Sequence, residues 1–186
     1  MNESLQWGKP KLFIKDLGTN NAKWKLLPTP VQDSTQLTPT KGDKMEAPIE
    51  GGENEAVKYK RNKYELAYGI RQTKGRKPPV PATDGVVKNE YAVLLQPEDE
   101  TTNGFYIERT AVSYEDPFNA SDGGVWNVVH DALAPNSGNT VKWGVVTTAT
   151  TGEGAQATKT VAFTEDEDMV ADDATAVTLE AAEYTE

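Results

Sequence analysis

Alternation of apolar and polar side chains is the feature that most constrains the fold of this chain. In the segment YELAYGI, Tyr64, Leu66, Tyr68 and Ile70 fall on one face of an extended strand, and the residues between them fall on the other face. This period of two recurs along most of the chain, whereas helical spacing is almost absent. The sequence therefore predicts a mainly β protein.

Further strands are predicted where β-branched and aromatic residues lie between turn residues. The segments YAVLLQP, FYIERTAVSYE and NTVKWGVV fit this pattern, and PEDETTNG and PNSG are typical of turns. Residues 125–133 fit a helical stripe or a strand face, and we favour a strand because β-branched residues are frequent there. At least seven short strands predict an antiparallel β-sandwich or barrel, with one short helix within residues 84–90.

A second alternating segment, TPTKGDKMEAPIEGGENEAVKY, is typical of a long hairpin that turns at a double glycine. Met45, Ala47 and Ile49 alternate with charged residues or proline on its first strand. Val57 and Tyr59 alternate with lysines on its second strand. We expect all five side chains to face the same thin core, and we expect the segment to be mobile in a lone subunit.

Charge and composition differ between the two ends of the chain. Residues 1–90 carry 16 Lys or Arg and 11 Asp or Glu, whereas residues 91–186 carry 3 and 18. Such asymmetry is typical of an interaction tail, or of oppositely charged surfaces that meet between copies. We expect residues 1–146 to form the β domain. Residues 147–186, rich in Ala, Thr and acid, would be an arm that pairs with a neighbouring subunit or a partly ordered solubilising tail.

Residues suited to catalysis are scarce. The chain has no cysteine and one histidine, His130, so we predict no enzyme, no metal site and no cofactor. We interpret His130 as a partly buried strand residue. The segment DPFNASDGG offers oxygen ligands but lacks the EF-hand spacing, and a turn between two strands is expected there.

Sequence features give little indication of nucleic-acid or membrane binding. The basic run RQTKGRKPP, residues 71–79, has no interleaved aromatic residues, which argues against specific nucleic-acid binding. No apolar run reaches the length of a membrane span, and the N-terminal residues lack a signal-peptide pattern, so we expect a cytoplasmic origin. An alternative function is a ligand-binding β-sandwich, such as a carbohydrate-binding module, that uses Trp7, Trp24, Trp126 and Trp143 as stacking platforms.

Three spaced segments carry a family resemblance. They are the hairpin TPTKGDKMEAPIEGGE, the strand and acidic turn YAVLLQPED, and the strand and turn DGGVWNVVHDALAPNSG. In this order, over roughly residues 11–143, the chain resembles the tail tube (major tail) proteins of long-tailed bacteriophages. Residues 147–186 depart from that pattern.

The resemblance implies a tail-tube-like β-sandwich or barrel, related in shape to the tube protein of type VI secretion. It implies hexameric rings that stack into a tube in the virion tail after assembly in the host cytoplasm. The partners would be further copies of the chain, a tape-measure protein and tail terminator or initiator proteins, with DNA only in passage and no membrane. The inter-subunit hairpin would contain Thr38, Lys41, Asp43, Lys44, Glu46, Ile49, Glu50, Glu53, Val57 and Tyr59.

Overall fold

The computed structural model describes Gln6, residues 8–154 and residues 157–186, and this part of the chain is mainly β. Its strands are β1 (Lys11–Asp16), β2 (Trp24–Leu26), β3 (Gln36–Thr40), β4 (Lys44–Pro48), β5 (Asn54–Tyr59), β6 (Lys63–Arg71), β7 (Tyr91–Gln96), β8 (Gly104–Glu115), β9 (Phe118–Asn119), β10 (Gly123–Ala132), β11 (Val141–Thr151), β12 (Thr158–Glu165) and β13 (Thr178–Thr185). A 3₁₀ helix spans Glu167–Met169. The predicted mainly β class is confirmed.

Seven of these strands close into a barrel. Their hydrogen-bonded order is β11, β12, β13, β2, β1, β7 and β8, and β8 pairs again with β11. The neighbours are antiparallel except β13 and β2, which pair in parallel through Tyr184 with Trp24 and Thr185 with Lys25. Buried side chains, among them Phe13, Leu94 and Phe163, fill the interior.

The long strand β8 joins this barrel to a second layer. Its first residues pair with β11, and its last residues, Thr110 to Glu115, pair with β10. From β10 the sheet continues through β6 to β3, which is its edge strand. Side chains of β6, β8 and β10 pack against the outward-facing side chains of β1 and β7 and form a second core. The result is a barrel with a sheet folded over one side.

Strands β1 and β7 are buried on both faces. Leu12 and Ile14 of β1 belong to the core between the layers, whereas Phe13 lies inside the barrel. On β7, Val93 and Leu94 divide between the two cores in the same way. The nearly continuous apolar run YAVLLQ is explained by this position, since neither face of the strand meets water.

Residues beyond 146 belong to the same sheet as the rest of the chain. The boundary that we placed after residue 146 lies inside β11, and β12 and β13 continue the main sheet beyond it. Val161 and Phe163 are buried in the barrel. The acidic and threonine-rich composition, which suggested a separate arm or tail, belongs largely to the outward positions and loops of these strands.

The predicted helix within residues 84–90 is wrong. Asp84 and Gly85 both have positive φ, 50° and 79°, and Thr83 and Val86 exchange backbone hydrogen bonds across them. Positive φ at both central residues is the geometry of a type I′ turn, for which Asp-Gly is a favoured sequence. By contrast, the strand favoured for residues 125–133 is confirmed by β10, and the turn at residues 119–123 connects β9 to β10 as expected.

The face assigned to YELAYGI is confirmed, which makes Leu66 a test of the fold. Leu66, Tyr68 and Ile70 are buried, whereas Glu65 is exposed on the opposite face. We expect Leu66→Ala to lower the free energy of unfolding by about 2–5 kcal/mol, because truncating a buried leucine leaves a cavity. Glu65→Ala is the control on the same strand and should cost less than about 0.5 kcal/mol. Chemical denaturation measures both, and an unchanged midpoint for Leu66→Ala would contradict the packing.

Candidate assembly surface

A two-stranded hairpin projects from the edge of the second layer. The pairing of β3 with β6 ends at Thr40 with Lys63, and that of β4 with β5 begins at Lys44 with Tyr59. Between them, the Lys60 amide donates to the Asp43 carbonyl at 2.9 Å, so the ladder continues outward. We call residues 41–62 the projecting hairpin. The barrel and the second layer together form what we call the body. About ten residues on each side extend the hairpin roughly 30 Å beyond it, at about 3.3 Å per residue.

The root of the projecting hairpin depends on one close approach of the backbone. A Cβ atom at Gly42 would lie 2.0 Å from the carbonyl oxygen of Lys60, so only glycine fits there. The Gly42 amide donates to the Asn62 side chain at 3.1 Å. These contacts align the hairpin with the β3 and β6 ladder.

Almost no part of the projecting hairpin is buried. Every residue from Thr38 to Lys63 is exposed except Gly42, which is half-buried. The exposed residues include the large apolar side chains of the hairpin, and their exposed fractions are 53% for Met45, 47% for Ile49, 44% for Val57 and 53% for Tyr59. Exposed apolar side chains concentrated on one extended element are typical of an interaction surface.

The prediction that these apolar residues face one core is wrong. Met45 lies opposite Lys58, and Val57 lies opposite Glu46. Directly opposed residues of an antiparallel pair project to the same face, so Met45 and Ala47 lie on one face while Val57 and Tyr59 lie on the other. The hairpin therefore presents apolar side chains on both faces, and neither face is covered by the body.

Charge is segregated along the projecting hairpin. Residues 46–57, which we call the acidic tip, carry four glutamates and no lysine or arginine. The rest of the hairpin carries five Lys or Arg and one Asp. Near the root, Lys60 pairs with Asp43 at 3.1 Å and Lys44 pairs with Glu46. Among the described residues, Glu50, Glu53 and Glu55 make no ion pair, so the tip keeps a net negative charge.

Of the ten residues predicted for the inter-subunit hairpin, nine lie in the projecting hairpin and Thr38 lies just before it. Thr38 is on β3, Lys44 and Glu46 are on β4, Val57 and Tyr59 are on β5, and Lys41, Asp43, Ile49, Glu50 and Glu53 are in the connecting segments. All ten are exposed. Lys41 also places its Nζ atom 5.0 Å from the ring centre of Tyr59. The sequence predicted a hairpin here, but we did not predict that its apolar side chains lie on two faces or that its charges are segregated. The segregation could have been predicted from the order of charges along the segment.

The tryptophans do not form a row of exposed platforms. Trp24 is buried in the barrel core and Trp126 in the core between the layers. Trp143 is partly buried and contacts Phe105 edge-on, with ring centres 5.4 Å apart. Trp7 lies outside the described residues. The three described indoles pack mainly against apolar neighbours, as core side chains do.

His130 is fully buried, more deeply than the sequence predicted. Thr110 donates its hydroxyl proton to the Tyr91 carbonyl at 2.8 Å, so its oxygen accepts from His130 Nδ1, also at 2.8 Å. Nε2 then accepts from the Tyr68 hydroxyl at 2.9 Å. This arrangement assigns a neutral imidazole, and burial lowers the pKa of His130 to about 3. The histidine connects three strands and has no access to a substrate.

The described part of the chain also lacks a candidate metal site. It contains no group of three or more His, Cys, Asp or Glu residues arranged to hold a metal ion. None of its helical segments has the length and apolar character needed to cross a membrane. Comparison with protein-family models and with curated proteins gives no match. The projecting hairpin is therefore the feature from which a function can be argued.

The buried histidine predicts a pH-dependent stability. An unfolded chain takes up a proton at His130 near pH 6.5, whereas the folded chain does so only near pH 3. The stabilising contribution is thus complete above pH 6.5 and is lost as the pH falls toward 3, by up to about 1.4 kcal/mol per pH unit. In denaturation curves between pH 7 and pH 4, we expect the stability difference between the wild type and His130→Gln to shrink. A difference that stays constant with pH would contradict this assignment.

The exposure of the projecting hairpin predicts rapid local opening. Its backbone hydrogen bonds lie beside solvent and few apolar contacts hold its strands, unlike those of β7. In a dilute monomer, we expect amides of residues 44–59 to exchange with deuterium much faster than amides of residues 91–96. Mass spectrometry of peptides from the two segments makes the comparison. Equal protection would show that the hairpin is held by contacts absent from this structure.

Proposed function

We propose that this chain is a structural subunit of a bacteriophage tail tube, which assembles with copies of itself into stacked, hexameric rings. The observation that carries the proposal is the projecting hairpin. It extends roughly 30 Å from the body, exposes apolar side chains on both faces and makes almost no contact with its own domain. Such an element gains buried surface only from neighbouring molecules.

The edge of the second layer supports the same proposal. β3 ends the main sheet, and among the described residues it pairs only with β6. An unpaired edge can accept a strand from another chain, which is how the sheets of adjacent copies would join around a ring. Proline at position 39 limits this pairing by removing one donor, which restrains indiscriminate edge association.

A passive conduit for DNA fits the charge of the chain. Its net charge of −10 opposes binding to phosphates, since affinity for a DNA backbone comes from Lys and Arg that displace counterions. DNA would therefore pass through the tube without specific binding. The remaining partners of the proposal are a tape-measure protein and the terminator or initiator proteins at the tube ends. The subunit would be made in the host cytoplasm and end in the virion tail.

A second candidate function is a ligand-binding β-sandwich. It is favoured by a groove of about 700 Å³ whose lining includes Leu37, Leu66, Leu95, Phe105 and Trp143. A carbohydrate site normally stacks a sugar on an exposed aromatic face, and here one partly buried indole packs edge-on against Phe105. The groove also gives no role to the projecting hairpin. For these reasons we place this function second.

Removing the projecting hairpin tests the proposal. Replacing residues 41–62 by Asn-Gly would close β3 and β6 at Thr40 and Lys63 with a two-residue turn. Because the removed residues add almost nothing to either core, we expect a folded monomer with a wild-type thermal midpoint that forms no rings or tubes. Electron microscopy and analytical ultracentrifugation, at concentrations where the wild type assembles, measure the loss.

Single substitutions on the two faces of the hairpin test the same proposal in the full chain. Met45→Lys and Val57→Lys each add a charge to one face of the hairpin and should weaken assembly while leaving the monomer folded. If the hairpin-deleted chain still forms rings or tubes at wild-type concentration, the hairpin is not the assembly element and the proposal loses its basis. If the wild type stays monomeric at all concentrations but binds glycans, the second candidate replaces the first.

A further inference from the structure

A cluster of positive charge lies at the end of β6 opposite the projecting hairpin. Residues 71–77, which we call the basic loop, contain Arg71, Lys74, Arg76 and Lys77 and no acid. The loop is exposed throughout. Arg71 and Arg76 are held by hydrogen bonds to backbone carbonyls, and Lys74 and Lys77 make no ion pair within the described residues. The loop therefore presents uncompensated positive charge.

The basic loop borders a groove with an apolar floor. Leu26, Leu27 and Ile70 line this groove of about 510 Å³, and the cations Arg76 and Lys77 stand at its side. Lys25 is a third cation of the lining and donates to the Pro79 carbonyl at 3.2 Å. Burial and the nearby charge of Lys77 lower the pKa of Lys25, as expected where cations lack an anion between them. We call this site the basic groove.

One acidic residue also lines the basic groove. Glu186 lies at its side, but its carboxylate pairs with Lys159 at 2.6 Å. The balance of the lining is therefore positive, with three cations and one acid that is already paired. The groove is suited to a segment that carries an apolar side chain beside carboxylates.

The acidic tip has that composition. Ile49 is exposed and is followed by Glu50, Gly51, Gly52 and Glu53 at the turn. The two glycines have φ of 102° and 86°, and a Cβ at either would meet no atom, so the turn is narrow and unobstructed. A narrow turn of this kind can enter a groove bordered by longer side chains.

The tip cannot reach the groove of its own chain. β6 spans nine residues from Lys63 to Arg71, or roughly 25 Å, and the projecting hairpin extends roughly 30 Å further from the Lys63 end. The acidic tip and the basic groove thus lie at opposite ends of one long element. Any contact between them is between different copies, and it is head-to-tail, which closes into a ring when the rotation between copies allows.

We propose that the acidic tip of one copy docks in the basic groove of the next, with Ile49 on the apolar floor and Glu50 and Glu53 beside Arg76 and Lys77. This inference rests on the proposed function and names the surface that receives the projecting hairpin. Charge complementarity selects this partner surface, and burial of Ile49 supplies apolar area. It also gives the segregated charges of the chain a use, since the positive end of one copy meets the negative tip of another.

Charge reversal tests the pairing. Glu50→Lys/Glu53→Lys reverses the tip, and Arg76→Glu/Lys77→Glu reverses the two cations proposed to face it, neither of which makes a described ion pair. Each double variant should raise the concentration needed for assembly by at least about tenfold, because like charges then meet at the contact. The chain that carries all four substitutions should assemble again, since its reversed tip meets a reversed loop. Lys9→Glu/Lys88→Glu changes two exposed residues outside the lining of the groove and is the control for net charge.

The outcomes separate this inference from the proposed function. Sedimentation velocity and electron microscopy report assembly, and circular dichroism reports folding of each variant. If the wild type assembles and both double variants assemble equally well, the docking inference is overturned while the tube function stands. Failure of the four-substitution chain to recover, or an equal loss in the Lys9 and Lys88 control, also overturns it. A wild type that never assembles overturns both.

Discussion

Two strands buried on both faces are the constraint on which the body depends. β1 and β7 form the wall between the barrel interior and the core under the second layer, so each supplies alternate side chains to both. A polar side chain in place of Phe13, Val93 or Leu94 would be buried among apolar neighbours without a hydrogen-bond partner. Their few residues therefore determine where the barrel closes, where the second layer packs and, through β6, the direction in which the hairpin projects.

The projecting hairpin differs from this body because its side chains are exposed and its pairing has little packing to stabilise it. An isolated two-stranded hairpin is marginally stable in water, and this one has charged or exposed residues along both strands. Its pairing is supported because β3 and β6 continue into it from a packed layer. The body thus supplies rigidity at the root, while the exposed faces and acidic tip remain available to other molecules.

Local sequence pattern predicted much of the body and less of its pairing. Alternation in YELAYGI identified the buried face of β6, because one face of that strand meets the core and the other meets solvent. No local pattern could predict that β13 pairs with β2, since that contact joins distant parts of the chain. The hairpin error has a similar origin: alternation places Met45 on a side of its own strand, but only the pairing register relates that side to Val57. Likewise, the groove beside Lys77 could not be predicted from local pattern, because Lys25 joins its lining only in the folded chain.

The placement of β6 between β10 and β3 determines how the molecule responds to mechanical force. β6 pairs with β10 from Glu65 to Arg71 and with β3 from Lys63 to Ala67, and the projecting hairpin continues the same strand direction. A pull on the hairpin along its length therefore loads the β6–β10 ladder in shear and strains its hydrogen bonds together, whereas a sideways pull would open them one after another. A chain of such subunits would resist tension along the strands much better than bending across them.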